Sequence, residues 1–327
     1  MAARAGVSKS LVSLVLRGDP GVSPARRGAV DRAIAELGYQ PNRVAQVLGA
    51  RRSGTVGVLL NDLRNPWFVD LLDGVTATLD TLGFSPVLID SATLRRVGGS
   101  PVEQLLKQQV DGIIVVGTTE DGEQLRRAAA VVPVVLSGTY EPADLGPGVE
   151  VDVVVNDDVD GAAAATRHCV ELGHSRITHL QGPGRVGDLR AQGYRDAMAA
   201  AGLAALTVPG GMSEESGYAA ARRVLAGAPR PTAIVAYNDL AAIGALSAAH
   251  DLALTVPEQV SIVGYDNTYL AKIRHLSLTS VENGTLAIGV HAARFLVERI
   301  GGKTPARRVH QVPASLVVRR TTSRPGV

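Results

Sequence analysis

From Thr55 onward the chain alternates short β-branched runs with amphipathic stretches, and this alternation restricts its fold more than any other feature. The runs TVGVLL, PVLID, GIIVVG, VPVVLS, VDVVV, RITHLQ, TAIVAY and VSIVGY read as strands apolar on both faces. Helical spacing falls between them, over residues 67–82, 101–109, 122–130, 160–172, 189–201, 214–226, 239–252 and 285–300. Continuous apolar strands separated by helices require parallel sheets covered on both sides. Nearly ten such units are too many for one sheet, so the pattern predicts an α/β protein of two doubly wound lobes.

Ligands in open parallel sheets bind outside the carboxyl ends of the strands. Asp62, Asn65, Trp67 and Phe68 follow the first run, Arg185 and Arg190 follow RITHLQ, Asn238 and Asp239 end TAIVAY, and Asp266 ends VSIVGY. A guanidinium, an amide and a carboxylate offer fixed donors and acceptors to hydroxyl groups, and an indole covers an apolar C–H face. Trp67 and Phe68 stand out because the chain has one Trp and three Phe, although an aromatic in such a loop more often plugs the core. An equally simple reading of Arg190 and Asp266 is a salt bridge that braces the lobes.

The first 53 residues differ. They carry nine Lys/Arg against Asp19, Asp31 and Glu36, a net charge of +6, whereas the other 274 residues sum to −4. A basic module on a mildly acidic body is the electrostatic footprint of nucleic-acid binding, but a solvated basic tail has the same charge. The helical pattern separates the two. Ala2, Gly6 and Val12 have helix-turn-helix spacing, a small residue at the helix crossing, a glycine in the turn and an apolar lock on the second helix. Ser8 caps a second helix to about Leu16, with Val12, Val15 and Leu16 inward and Lys9, Ser10 and Ser13 outward. After the breaker Gly18-Asp19-Pro20-Gly21, Ser23 and Pro24 start a third helix through Leu37, its core face formed by Val30, Ala33, Ile34 and Leu37. Asn42 can cap a further segment to Leu48 that is too short to be a stable helix alone.

AGVSKSLVSLVLRG, VSPARR, AELGYQPNRVAQVL and NPWF together resemble the lactose-repressor (LacI/GalR) family of bacterial transcription regulators, and the resemblance covers essentially the whole chain. It implies a helix-turn-helix DNA-binding head over residues 1–41, a hinge helix and linker over 42–53, and a periplasmic-binding-protein-like core over 54–327. The core's two lobes would be 54–155 with 283–309 and 156–282 with 310–327, with a ligand cleft between them. The implied partners are a pseudo-palindromic double-stranded operator, a second copy of the chain and a small effector whose binding relieves repression. The implied DNA-facing set is Lys9, Ser10, Ser13, Arg17, Ser23, Asn42, Arg43, Ala45 and Leu48, the last matching the family's hinge leucine that wedges into the minor groove. The NPWF match makes Trp67 and Phe68 ligand contacts. The implied effector set is Asp62, Asn65, Trp67, Phe68, Arg185, Arg190, Met212, Asn238 and Asp266, suited to a sugar or related polyol. Met212 falls where some relatives stack an aromatic on the effector, which disfavours a planar purine.

Two departures accompany the resemblance. Leu11-Val12-Ser13-Leu14 replaces a more polar recognition stretch, and Leu11 and Leu14 could give DNA only apolar contact, leaving base reading to Lys9 and Ser10. The family pattern has about five residues before the position of Ala2 and a valine where Met1 stands, so the head is expected to begin upstream.

Other signals point away from catalysis. GPGRVG at 182–187 spells GxGxxG after a strand, but no acid follows about 20 positions on and Pro183 removes a backbone donor, so no dinucleotide is expected. His168, Cys169, His174 and His179 lack metal-site spacing, and no GxSxG, phosphate-loop lysine or paired catalytic carboxylates occur. No enzyme activity, cofactor or metal is therefore expected. A lone cysteine, no apolar run near ~18 residues and no signal-peptide pattern predict a cytoplasmic protein without a membrane partner. The chain stops soon after Leu316-Val317-Val318-Arg319, so a dimer is expected and no tetramerisation coil. Two function classes stand: a ligand-responsive DNA-binding repressor, and a cytoplasmic small-molecule-binding protein without operator activity.

Overall fold

The apolar runs form two six-stranded sheets in a computed structural model described over residues 1–16, 19, 21–37, 52–117, 122–146, 148–303 and 306–326. The chain divides into two units, Met1–Ser53 and Gly54–Val327.

In the second unit the strands are β1 (Thr55–Leu60), β2 (Ser85–Asp90), β3 (Gly112–Val116), β4 (Val134–Ser137), β5 (Asp152–Asn156), β6 (Ile177–Gln181), β7 (Leu206–Pro209), β8 (Ala233–Ala236), β9 (Ser261–Tyr265), β10 (Thr279–Glu282), β11 (Val309–Val312) and β12 (Ser315–Val317). The first sheet has the order β11-β5-β4-β3-β1-β2, and all its pairs are parallel. The second runs β12-β10-β9-β8-β6-β7, with only β12 antiparallel. The central strands are buried along their length, which is why they read as unbroken β-branched runs. Each sheet has two apolar layers, one on each face.

The chain passes between the sheets three times: after β5, after β10 and between β11 and β12. The expected third crossing at 310 falls inside β11, whose pairing with β5 continues to Val312 opposite Asn156, so the chain leaves the first sheet only after Val312. Four short strands, β7, β10, β11 and β12, escape the apolar-run rule. The edge strands β7, β11 and β12 are only partly buried, and β10 (TSVE) buries hydroxyls that find partners, as when Ser280 Oγ donates to Asp239 Oδ1 at 2.5 Å.

Helices α1 (Ala2–Ala5), α2 (Lys9–Leu16) and α3 (Pro24–Leu37) form the first unit. The second contains α4 (Trp67–Thr81), α5 (Ser91–Arg96), α6 (Pro101–Lys107), α7 (Gly122–Ala129), α8 (Asp158–Glu171), α9 (Gly184–Ala200), α10 (Glu214–Leu225), α11 (Asp239–Asp251) and α12 (Thr285–Ile300). Side chains cap several starts: Asp90, Asp157, Ser213 and Asn238 each accept from a backbone amide three residues on, worth roughly 1 kcal/mol apiece. Helix α9 begins five residues before the expected 189, so the GxGxxG segment is largely helical. Its glycines serve packing: a Cβ on Gly182 would meet the Tyr237 ring at 2.4 Å, and one on Gly187 would meet Gly182 O at 2.0 Å. His168, His174 and His179 are engaged in hydrogen bonds within the second lobe, and Cys169 is buried beside them in sequence.

Candidate functional site

A cavity of about 360 Å³ lies between the lobes at the carboxyl ends of the strands. Eight of the nine expected effector residues line it: Asp62, Asn65, Trp67 and Phe68 from the first lobe, and Arg190, Met212, Asn238 and Asp266 from the second. Arg185 does not. The early start of α9 puts it on the helix's first turn, where it is exposed.

The aromatic pair belongs both to the core and to the cavity. Trp67 and Phe68 are 8% and 4% exposed, meet edge to face at 5.3 Å and pack into the first lobe's apolar layer. Asn65 Oδ1 accepts from Trp67 N at 3.1 Å, which fixes the start of α4. The indole edge lies against Gly138, at φ +63°, where an added Cβ would sit 2.2 Å from Trp67 Cη2. Trp67 Nε1 and Ser137 Oγ are buried without a hydrogen-bond partner among the described residues. At the rim, Asp62 pairs with Arg64, whose bond to it holds its carboxyl below the usual carboxylate range.

Arg190 is the centre of the second lobe's contribution. Its Nε donates to Asp158 Oδ1 at 2.9 Å, its Nη1 donates to Tyr237 O at 2.6 Å, and its Nη2 stands 3.6 Å from Asp266 Oδ1. The guanidinium lies 3.6 Å from the Tyr265 ring centre and 4.7 Å from that of Tyr237, an aromatic surround that favours a cation. Burial opposes its charge, but Asp158 and Asp266 outweigh burial and hold it protonated. Burial pushes the Asp266 carboxyl well up, with Arg190 pulling the other way. Asp266 has φ +98°, a strained backbone for a non-glycine residue at the end of β9. The Arg190–Asp266 contact lies within one lobe, so the lobe-bracing reading does not hold.

Asn238 caps α11 through Oδ1, which accepts from Ala241 N at 2.9 Å, and donates Nδ2 to Met212 O at 3.0 Å. Strand-end reasoning missed Asn156 and Tyr237, which also line the cavity. Both end strands already identified, and carrying VDVVV one residue further would have found Asn156. Asp158 gave no signal, because its partner lies 32 residues away.

In the first unit Val12, Val15, Val22 and Val30 form a small core. Gly6 is left-handed at φ 66°, as the turn requires, and Ser8 Oγ accepts from Leu11 N at 3.2 Å. Lys9, Ser10 and Ser13 are exposed on α2, and Ser23 is exposed just before α3. Leu11 and Leu14 are partly buried against the core, which explains the apolar look of the recognition stretch. Leu37, expected in the core, is 52% exposed. Arg17, Asn42, Arg43, Ala45 and Leu48 lie outside the described residues.

A helix-turn-helix unit joined to a two-lobed α/β core with a cavity between its lobes defines the class of DNA-binding transcription regulators with a sensor core. Residues 1–42 match the bacterial regulatory proteins of the lacI family, and residues 166–322 match the periplasmic binding protein-like domain. The HTH-type transcriptional regulator CelR of Thermobifida fusca is 37% identical over 327 residues, 94% of each chain. The HTH-type transcriptional repressor PurR of Vibrio atlanticus is 30% identical over 97% of this chain and 96% of its own. Among solved structures, a CelR–cellobiose complex has a TM-score of 0.74 at 35% identity, covering 98% of both chains. The lac repressor dimer bound to operator and the anti-inducer ONPF has a TM-score of 0.83 at 28% identity, covering 98% and 97%. The chain belongs to the lacI family of bacterial regulatory proteins and is a DNA-binding transcriptional regulator.

Proposed function

We propose that this regulator is a cytoplasmic, non-catalytic repressor that binds a pseudo-palindromic operator as a homodimer and is controlled by a sugar held between its lobes. The observation that carries the effector reading is the pairing of Trp67 from one lobe with the buried Arg190–Asp266 set from the other across one cavity. An indole suits the C–H face of a pyranose, while the guanidinium and carboxylate suit its hydroxyls. The volume of about 360 Å³ lies at the small end of ligand sites, which span ~300–1,000 Å³, and suits one or two sugar rings. The relative solved with cellobiose supports the same class. The carboxylates around Arg190 are already engaged, Asp158 by Arg190 and Asp266 by Asn283, which suits binding better than acid–base chemistry. Lys9, Ser10, Ser13 and Ser23 supply the DNA face of the head, joined by Arg17 and by Asn42, Arg43, Ala45 and Leu48 of the hinge.

As the sole tryptophan, Trp67 reports occupancy directly. Titrating the full chain with cellobiose, monosaccharides, polyols and nucleobases while following its fluorescence tests the effector class. A saturable change with a sugar is expected. A response to nucleobases alone, or to none of these compounds, overturns the sugar reading.

A further inference from the structure

The cavity's charged anchors, Arg190 and Asp266, belong to one lobe, yet both are tied to the strands on which the chain crosses between lobes. On the first crossing Asn156, the last residue of β5, donates Nδ2 to Tyr265 Oη at 2.9 Å and to Asp158 Oδ1 at 3.0 Å. Tyr265 ends β9 in the other sheet and lies under the Arg190 guanidinium, and Asp158 accepts from Arg190 Nε. On the second crossing Asn283 donates Nδ2 to Asp266 Oδ1 at 3.0 Å. Its Oδ1 accepts from Thr285 Oγ1 at 2.5 Å, at the start of α12, the helix that packs on the first sheet. At the third crossing Val312 O accepts from Asp157 N at 2.9 Å, and Ala314 packs against the Tyr265 cluster.

We propose that Asn156 and Asn283 are positioning residues, one on each of two crossings, that couple occupancy of the cavity to the angle between the lobes. The inference rests on reading the cavity as the effector site. The two side chains are 3% and 0% exposed, so their amides are desolvated and must find partners. Apolar side chains would fill the same space without that demand. Hydrogen bonds add direction: they weaken steeply with angle and distance, so these ties hold at one lobe angle and fail at others. A ligand that draws Arg190 or Asp266 toward itself loosens both ties, and its leverage equals its differential affinity for the two angles. Asn156 has both amide protons engaged, which leaves Oδ1 to accept a hydroxyl from a ligand in the cavity it lines.

The test measures lobe separation without any sugar, by double electron–electron resonance on the full chain labelled at Val97→Cys and Leu206→Cys. Both sites are exposed, near the β2 and β7 edges farthest from the crossings, and Cys169 is buried away from label. Asn283→Ala and Asn156→Ala should each broaden the distance distribution and shift the open-to-closed ratio roughly two- to tenfold, as for one buried hydrogen bond. Tyr265→Phe removes only the hydroxyl that Asn156 reaches. It should shift the ratio in the same direction as Asn156→Ala but by less, because the Asn156–Asp158 bond remains, and the double variant should add little to Asn156→Ala. It also keeps the test open if Asn156→Ala does not fold. A parental distribution in either Asn283→Ala or Tyr265→Phe overturns the proposal. Cellobiose titration of Trp67 in the parent tests the site reading separately, because the sugar-free distances do not depend on it.

Discussion

Asp239 shows how a single buried carboxylate sets a measurable pH response. It is 1% exposed, its Oδ1 accepts from Ser280 Oγ at 2.5 Å, and its Oδ2 accepts from Thr268 N at 2.7 Å and Thr268 Oγ1 at 2.8 Å. Burial pushes its pKa up to about 6, against the pull of those bonds. The folded chain therefore holds a proton here between about pH 4 and 6 that the unfolded chain has lost. This group costs stability above pH 6 and returns it as the pH falls. Wild type should gain about 1 kcal/mol on Asp239→Asn between pH 7 and pH 5, read from urea unfolding. His168, His174 and His179, whose pKa values burial lowers, act in the opposite direction in both proteins and cancel in the difference. A difference that stays constant with pH would place this carboxyl in the ordinary range. At the same scale, Arg190 and Asp266 were legible as polar residues following strand ends, and the aromatic pair through the NPWF motif. Arg185 was misplaced because Gly184 begins α9 early. The hidden partners Asp158 and Asn283 act through contacts that only the folded chain creates.

Three helix pairs are built on glycine contacts that bring backbones close. An added Cβ on Gly289 of α12 would meet Leu71 O of α4 at 2.3 Å, one on Gly193 of α9 would meet Val159 O of α8 at 2.0 Å, and one on Gly244 of α11 would meet Glu214 O of α10 at 2.1 Å. Backbone cannot yield as a flexible side chain does. Gly193→Ala should therefore lower stability by about 1–3 kcal/mol by forcing α8 and α9 apart, measured by urea midpoint, with no change if the pair can slide. Long buried strands and their covering helices were readable from periodicity, since a strand buried on both faces must be apolar throughout. Short edge strands were not, because β7 and β11 each expose half of their residues and so carry little pattern. The third crossing was misjudged by a few residues for that reason. In the head, the sequence left open whether Leu11 and Leu14 face DNA, and both pack partly buried against the valine core.

At the scale of the whole molecule, a basic head and a mildly acidic sensor core divide the work between phosphate and ligand. Retention on DNA should fall steeply with salt, because the Lys and Arg side chains of the head displace condensed counterions. Family and architecture were legible together because head, hinge and NPWF motifs lie in order along one chain. The ties between crossings and cavity were not, since Asn156 meets Tyr265 from 109 positions away and Asn283 meets Asp266 through a contact that only the folded chain creates. The central claim is that a ligand between the lobes governs DNA binding by the head. Its most direct test is retention of genomic fragments by the full chain at low salt, with and without the sugar that changes Trp67 fluorescence. The account predicts that specific fragments are retained and that saturating sugar weakens retention at least tenfold. Failure to retain any fragment, or retention that the bound sugar leaves unchanged, would contradict it.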